Sequence, residues 1–419
     1  MFFSTFQSPI APGLWKTDGE STELLLEFDP PQSLVDLTAL GERVFFTRCD
    51  DAHGCELWAS DGTAAGTRLF YDFAPGPASS WPMRLTAAGD KLYVSVAVSA
   101  AEGLWVTDGT EQGTSQLTGT AESILFPPNG LTAAGERLFF TLYDQTSGHE
   151  LWLTEGTSAT TRLVKDIVPG PEPATISELT VVSDTLYFRA SDNVHGPELW
   201  RSDGTEQGTR MVADLIPGND AAFPDHLTAA GAGLFFTAYD SPDPAGLWYS
   251  DGTAAGTREV WQEPGTYLVS LMRLGSRALF VTDANELWVS DGTPAGTRLI
   301  RAFGSAAVGA AGAASDPFGS VDWNGRLYFA VSTPENGSEL WASDGTAAGT
   351  RLGADIRPGA ASSTPRWLTL AGDQLIFTAD DGVHGDEAWV SDGTAAGTRL
   401  LANLAPELPP VVYLPAVQR

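Results

Sequence analysis

The chain has 419 residues, of which 53 are acidic and 23 basic, giving a formal net charge of -30 at pH 7. A surface that negative repels phosphate backbones and anionic lipid, which argues against nucleic acid as a partner. It suits cations or basic partners and favours solubility. No apolar run approaches the ~20 residues of a transmembrane helix.

Along the chain, residues 1–7 lack the basic and long apolar regions of a signal peptide. They read as the middle of a repeat, because Phe2-Phe3 through Leu14-Trp15 line up with Phe235-Phe236 through Leu247-Trp248. The expectation is a mature, trimmed or truncated form. Cys49 and Cys55, the two cysteines, stand six apart across one loop. A disulfide between them would clasp a hairpin, contribute roughly 2 kcal/mol in the entropy model and imply an oxidising compartment. Free thiols are the alternative.

One motif then organises everything. Glu-Leu-Trp-x-Ser-Asp-Gly-Thr-Ala-Ala-Gly-Thr stands at residues 56–67, 339–350 and, with Ala388 for Leu, 387–398. Looser copies are centred on the remaining tryptophans of the series Trp15, Trp58, Trp105, Trp152, Trp200, Trp248, Trp288, Trp341 and Trp389. Their spacing runs from 40 (Trp248 to Trp288) to 53 residues (Trp288 to Trp341). Each unit reads as four strands. In the unit of Trp200 these are residues 179–182 (a), 186–188 (b), 198–202 (c) and 209–214 (d). Asp-Gly between two apolar runs is a hairpin signal. Leu-Trp and Phe-Phe are adjacent pairs that point to opposite faces of a strand, so both faces of each sheet need cover.

Units of this length with four strands match β-propeller blades. The expected fold is all-β, a single propeller domain over residues 1–419 with nine four-stranded blades. Eight blades plus a partial one is the alternative. The segment 411–416 follows the last strand d at the spacing of a strand a, and the chain begins at strand b. The C-terminal segment is therefore expected to complete the N-terminal blade and close the ring.

The motif Glu-Leu-Trp-x-x-Asp-Gly-Thr, in nine copies over essentially the whole chain, resembles the bacterial ELWxxDGT repeat proteins. The departures are Gly13, Gly103 and Gly246 for the Glu, Glu155 for the Asp and Glu20 for the Thr. The resemblance implies a secreted or surface-associated protein and supplies no catalytic residues. The tail at 412–415 resembles the C-terminal tails of some bacterial exported proteins.

By analogy with other propellers, the b–c and d–a loops share the face that holds a ligand. Asp-x-x-His-Gly-x-Glu recurs in b–c loops as Asp50, His53, Glu56; Asp192, His195, Glu198; and Asp381, His384, Glu387. Carboxylates beside an imidazole suit a cation or acid–base work. Recurrence in several blades favours a structural use, with Asp ending strand b, Glu opening strand c and both satisfying loop backbone groups. Asp-x-x-Pro-Gly recurs in d–a loops at Asp72, Asp166, Asp214 and Asp355, where the Asp is expected to cap the turn. Calcium is the sharper alternative, and otherwise no cofactor is implied. Asp61, Asp203 and Asp344 read as turn-builders.

Aromatics outside the motif do not repeat. Trp81 and Trp367 are placed in d–a loops on the ligand face, with Phe126, Phe223 and Phe318 near them; they suit sugar stacking or a packed plug. The Ala/Gly-rich stretch 304–314 reads as a flexible insertion. Nucleophile-elbow, P-loop, His-Glu-x-x-His and Cys-x-x-Cys motifs are absent from the sequence. The favoured reading is a non-catalytic extracellular or cell-surface scaffold that presents an acidic loop face to a glycan, a cation or a protein. A carbohydrate-active hydrolase or lyase and a structural surface-layer component are the alternatives.

Overall fold

A computed structural model describes residues 1–5, 13–28, 34–97, 101–118, 124–218, 221–239, 245–304, 319–402 and 412–413. The fold is an all-β propeller of nine four-stranded antiparallel blades. That count resolves the choice between nine blades and eight plus a partial one. The chain gathers into two compact units, Met1–Pro30 with Ser241–Tyr249 and Glu259–Gln418, and Pro31–Asp240 with Ser250–Arg258. Among the described residues no helix is long and apolar enough to cross a membrane.

Blade 5 shows the plan. Its strands are Ser177–Val182 (a), Thr185–Ala190 (b), Glu198–Ser202 (c) and Arg210–Ala213 (d), in spatial order a-b-c-d. Blade 1 is assembled from both chain ends. Phe2–Thr5 is its strand b, and Val412–Tyr413 pairs antiparallel with it, Ser4 opposite Tyr413 and Thr5 opposite Val412. The C-terminal strand thus completes the N-terminal blade.

Adjacent apolar residues feed two different cores, as strand alternation requires. In blade 4, Phe139 packs with Leu186, Phe188 and Trp200 of blade 5. Its neighbour Phe140 packs on the other face with Tyr93 and Leu104 of blade 3. In the other unit, Leu279 and Val289 of blade 7 pack against Phe329 and Trp341 of blade 8. Each such Phe, fully buried, is worth about 1.5–3 kcal/mol of transfer free energy.

The c–d turn explains the rest of the motif. Asp61 Oδ1 accepts the N–H and the hydroxyl of Thr63 at 2.9 and 2.7 Å. Thr63 Oγ1 accepts the N–H of Gly66, and Thr67 Oγ1 donates to the Thr63 carbonyl. Ser60 Oγ meets Thr67 Oγ1 at 2.7 Å and accepts the N–H of Gly62. Gly62 has φ +86°, and a Cβ on Gly66 would run into the Asp61 carboxylate. The same network holds the turns of Asp203 and Asp344.

Arginines join neighbouring blades at these turns. Within one unit, Arg43 Nη1 donates to the Gly109 carbonyl and Arg137 Nη1 to that of Asp203. Within the other, Arg277 Nη2 donates to the Asp344 carbonyl and Arg399 Nη2 to that of Gly19. Cys49 and Cys55 face each other across strands b and c of blade 2 and form a disulfide.

Candidate functional site

The repeated acids are committed to loop architecture. Glu56 is fully buried. Its carboxylate accepts the N–H of Phe73 and the N–H and hydroxyl of Ser80, at 2.9, 2.9 and 2.7 Å. Glu339 does the same for Ile356, Arg357 and Ser363, and Glu150 accepts from Ile167 and Val168. The motif Glu therefore holds the d–a loop of its own blade. Burial pushes Glu150 up to about 8 and Glu198 and Glu339 to about 7, against the lowering effect of these N–H groups.

One sequence-based expectation changes here. Asp72 and Asp166 do not cap the Pro-Gly turn: Oδ1 of each is buried without a hydrogen-bond partner, and the Glu carboxylate takes the loop N–H groups instead. Asp-x-x-His-Gly-x-Glu serves its own loop in each of the three blades. Asp50 Oδ1 accepts the N–H groups of Ala52 and His53, Asp192 Oδ1 those of Val194 and His195, and Asp381 Oδ1 those of Val383 and His384. Nδ1 of each His lies 3.0, 2.9 and 2.7 Å from its own Asp. Burial works against ionisation of these three aspartates, but the loop N–H groups and the imidazoles outweigh it and lower their pKa values. The hydrogen bond to Asp192 raises that of His195. Of the three aspartates only Asp50 lies within strand b; Asp192 and Asp381 follow its end. Among the described residues no three His, Cys, Asp or Glu side chains gather closely enough to hold a metal ion.

The features that differ between blades lie at the start of strand a. There the chain is pinned at the start of strand c: Trp81 N–H donates to the Cys55 carbonyl within it and Phe223 N–H to that of Pro197 just before it. The pinned residue takes a positive φ, +52° at Trp81 and +45° at Phe223. Both rings stand in solvent, 46% and 48% exposed. Phe126 is 63% exposed and meets Tyr143 edge-on at 5.9 Å. Tyr239, whose N–H donates to the carbonyl of Ala222 next to Phe223, is 46% exposed. All belong to the unit of residues 31–240. Trp367 departs from expectation. It lies within strand a of blade 9, Arg366–Ala371, and is half-buried against the cluster of Phe3, Ile376, Ala388, Val390 and Leu401. Phe318 and most of the 304–314 stretch fall outside the described residues.

Three residues further on, strand a bulges and φ is positive again. The position is Gly130 in blade 4 but Asp36, Arg84, Glu178, His226 and Trp367 in blades 2, 3, 5, 6 and 9, with φ between +54° and +59°. Left-handed backbone costs a residue with a Cβ about 1–2 kcal/mol. A sequence that spends this energy in five blades, where glycine fits in a sixth, is keeping side chains. In blades 5 and 6 they meet. Arg189 donates from Nε to Ser177 Oγ and from Nη1 to the Pro224 carbonyl, tying the starts of the two strands together. Glu178 lies close enough to Asp225 for the two carboxyl groups to interact. Burial, then the Asp225 charge, push the Glu178 carboxyl up, against the pull of Arg189 and His226. His226 Nδ1 faces Thr237 Oγ1 at 3.3 Å. Sequence reading missed this cluster, because the bulge that aligns its members leaves no residue-type pattern.

No protein-family profile matches the chain, and no curated protein matches it. Solved structures do. The computationally designed Ika8 protein aligns at 12% identity over 84% of this chain and 94% of its own, with a TM-score of 0.47. Puromycin hydrolase aligns at 14% over 95% of this chain and 56% of its own, TM-score 0.41. The β-propeller domain of the Trilobed protease from Pyrococcus furiosus aligns at 12% over 78% and 96%, TM-score 0.39. The chain thus spans little more than half the length of the hydrolase. Likenesses this distant carry no argument about activity.

Proposed function

We propose that this protein is a non-catalytic binding scaffold of the ELWxxDGT repeat type, working outside the cell or at its surface, and that its ligand is a glycan. The observation that carries the reading is the pair Trp81 and Phe223. Both stand at positive φ, bonded through the backbone to Cys55 and Pro197 at the start of strand c, and are exposed where the equivalent residue in blade 5 is Thr175, also at positive φ. Exposed rings on rigid backbone offer flat apolar surface at little entropic cost, which is what the faces of sugar rings require. The repeated acids, occupied with loop N–H groups, leave the differing positions to carry recognition.

The test is affinity electrophoresis against a panel of soluble polysaccharides (xylan, glucomannan, laminarin, pectin). One or more should retard the protein, and Trp81→Ala and Phe223→Ala should each weaken binding about tenfold, or 1.4 kcal/mol. Release of reducing sugar from any of them, or retardation untouched by both substitutions, would overturn the reading.

A further inference from the structure

The start of strand a in blades 5 and 6 holds a set of side chains that the repeat does not need. Glu178 and His226 occupy left-handed backbone where Gly130 serves in blade 4. Arg189 is aimed there by its bonds to Ser177 Oγ and the Pro224 carbonyl. Asp225 Oδ1 takes the N–H of His226. Phe223, next to the Pro224 whose carbonyl Arg189 binds and two residues before Asp225, stands 48% exposed.

Resting on the binding function proposed above, we infer that this cluster is the subsite that reads the sugar. Phe223 carries the apolar face of an uncharged pyranose ring, and Glu178, Asp225 and Arg189 hold its hydroxyl groups. The chemistry is matched. Carboxylates accept from hydroxyls, while a guanidinium donates to them. Acid and base are mixed, so the cluster has no strong preference for either sign of charge. Each hydroxyl of a sugar both donates and accepts, and two neighbouring ones suit two acceptors set side by side.

The test uses isothermal titration of the full chain with xylohexaose, cellohexaose, mannohexaose and laminarihexaose, and with hexagalacturonate and chitosan hexamer as charged probes. Glu178→Gly is the informative variant, because glycine relieves the backbone and should fold at least as well as the native residue. The expected result is binding of an uncharged hexaose that falls at least tenfold in Glu178→Gly, Asp225→Asn and Phe223→Ala, with the Glu178→Gly melting temperature unchanged or raised. If Glu178→Gly and Asp225→Asn bind as the native protein does while Trp81→Ala binds weakly, the subsite is wrong and the glycan-binding function stands. Binding of the charged hexamers alone overturns the ligand class. No binding of any probe at millimolar concentration overturns both.

Discussion

A pair of departures in blade 4 shows how tightly the motif residues depend on one another. In most units the turn Asp fills the space left by the glycine five residues on, as Asp203 does above Gly208. Blade 4 has Glu155 and Thr160 at these positions, and the hydroxyl of Thr160 takes over. It accepts the N–H groups of Glu155 and Thr157, both at 3.2 Å, and meets Thr157 Oγ1 at 2.9 Å. The two changes compensate, so they should be strongly coupled. Glu155→Asp alone sets a carboxylate against the Thr160 side chain, and Thr160→Gly alone removes the acceptor of two N–H groups. Each single variant should lose about 1 kcal/mol or more, whereas the double variant regains the standard turn and should fall within about 0.5 kcal/mol of the native protein. Urea unfolding of the four proteins checks this; additive losses would mean that the pair is not coupled.

At the level of the element, the buried Glu sets how blade loops respond to pH. Glu150 has an ordinary value of 4.5 that burial raises to about 8, and Glu198 and Glu339 are raised to about 7. Between these limits the folded chain keeps a proton that the unfolded chain has released. Stability from these groups is therefore fully present below pH 4.5 and is lost as pH rises toward 8. The slope is up to about 1.4 kcal/mol per pH unit for each group. Aspartates such as Asp61 and Asp203, lowered chiefly by hydrogen bonds from Thr63 and Thr205, act in the opposite sense in more acidic solution. Urea unfolding should show stability falling from pH 5 to pH 8.5, and Glu150→Gln should make the fall shallower whatever it does to stability at pH 5. An unchanged slope would show that Glu150 does not titrate in this range. The strands themselves were legible in the sequence, since Asp-Gly turns and paired apolar residues mark them, and strand c of blade 5 has its expected bounds. That the Glu serves loop backbone groups was legible from its recurrence, but not which groups it serves: the N–H donors lie 17 to 24 residues away, and a backbone donor leaves no trace in residue type. The same blindness put Trp367 in a loop: its aromatic character was plain, but the cluster that half-buries it joins Ile376, Ala388, Val390 and Leu401 to Phe3 from the far end of the chain.

For the whole molecule the economy of charge is informative. Arginines are spent on joining blades, as Arg137 to Asp203 and Arg399 to Gly19 show, while the acidic excess of the chain is left uncompensated. A net charge of -30 opposes compaction through self-repulsion, so what ties the first and last blades together matters. Two short contacts add to the cluster of Phe3 with Ile376, Ala388, Val390 and Leu401 within one unit: the Arg399 bond, 380 residues in span, and the pairing of Val412–Tyr413 with Ser4 and Thr5. The strand is only two residues long, but it occupies the position that strand a fills in every other blade, and without it strand b of blade 1 becomes a bare edge. A chain ending at Ala402 should therefore melt several degrees below the full chain. The loss should begin in blade 1, where Phe3 and Trp15 are stacked at 6.3 Å. Hydrogen exchange read by mass spectrometry localises it: residues 1–5 and 13–17 should lose protection first, while blade 4 keeps its own. Equal melting temperatures with unchanged protection at 1–5 would show that the terminal strand contributes no stability and that blade 1 stands on its remaining three strands.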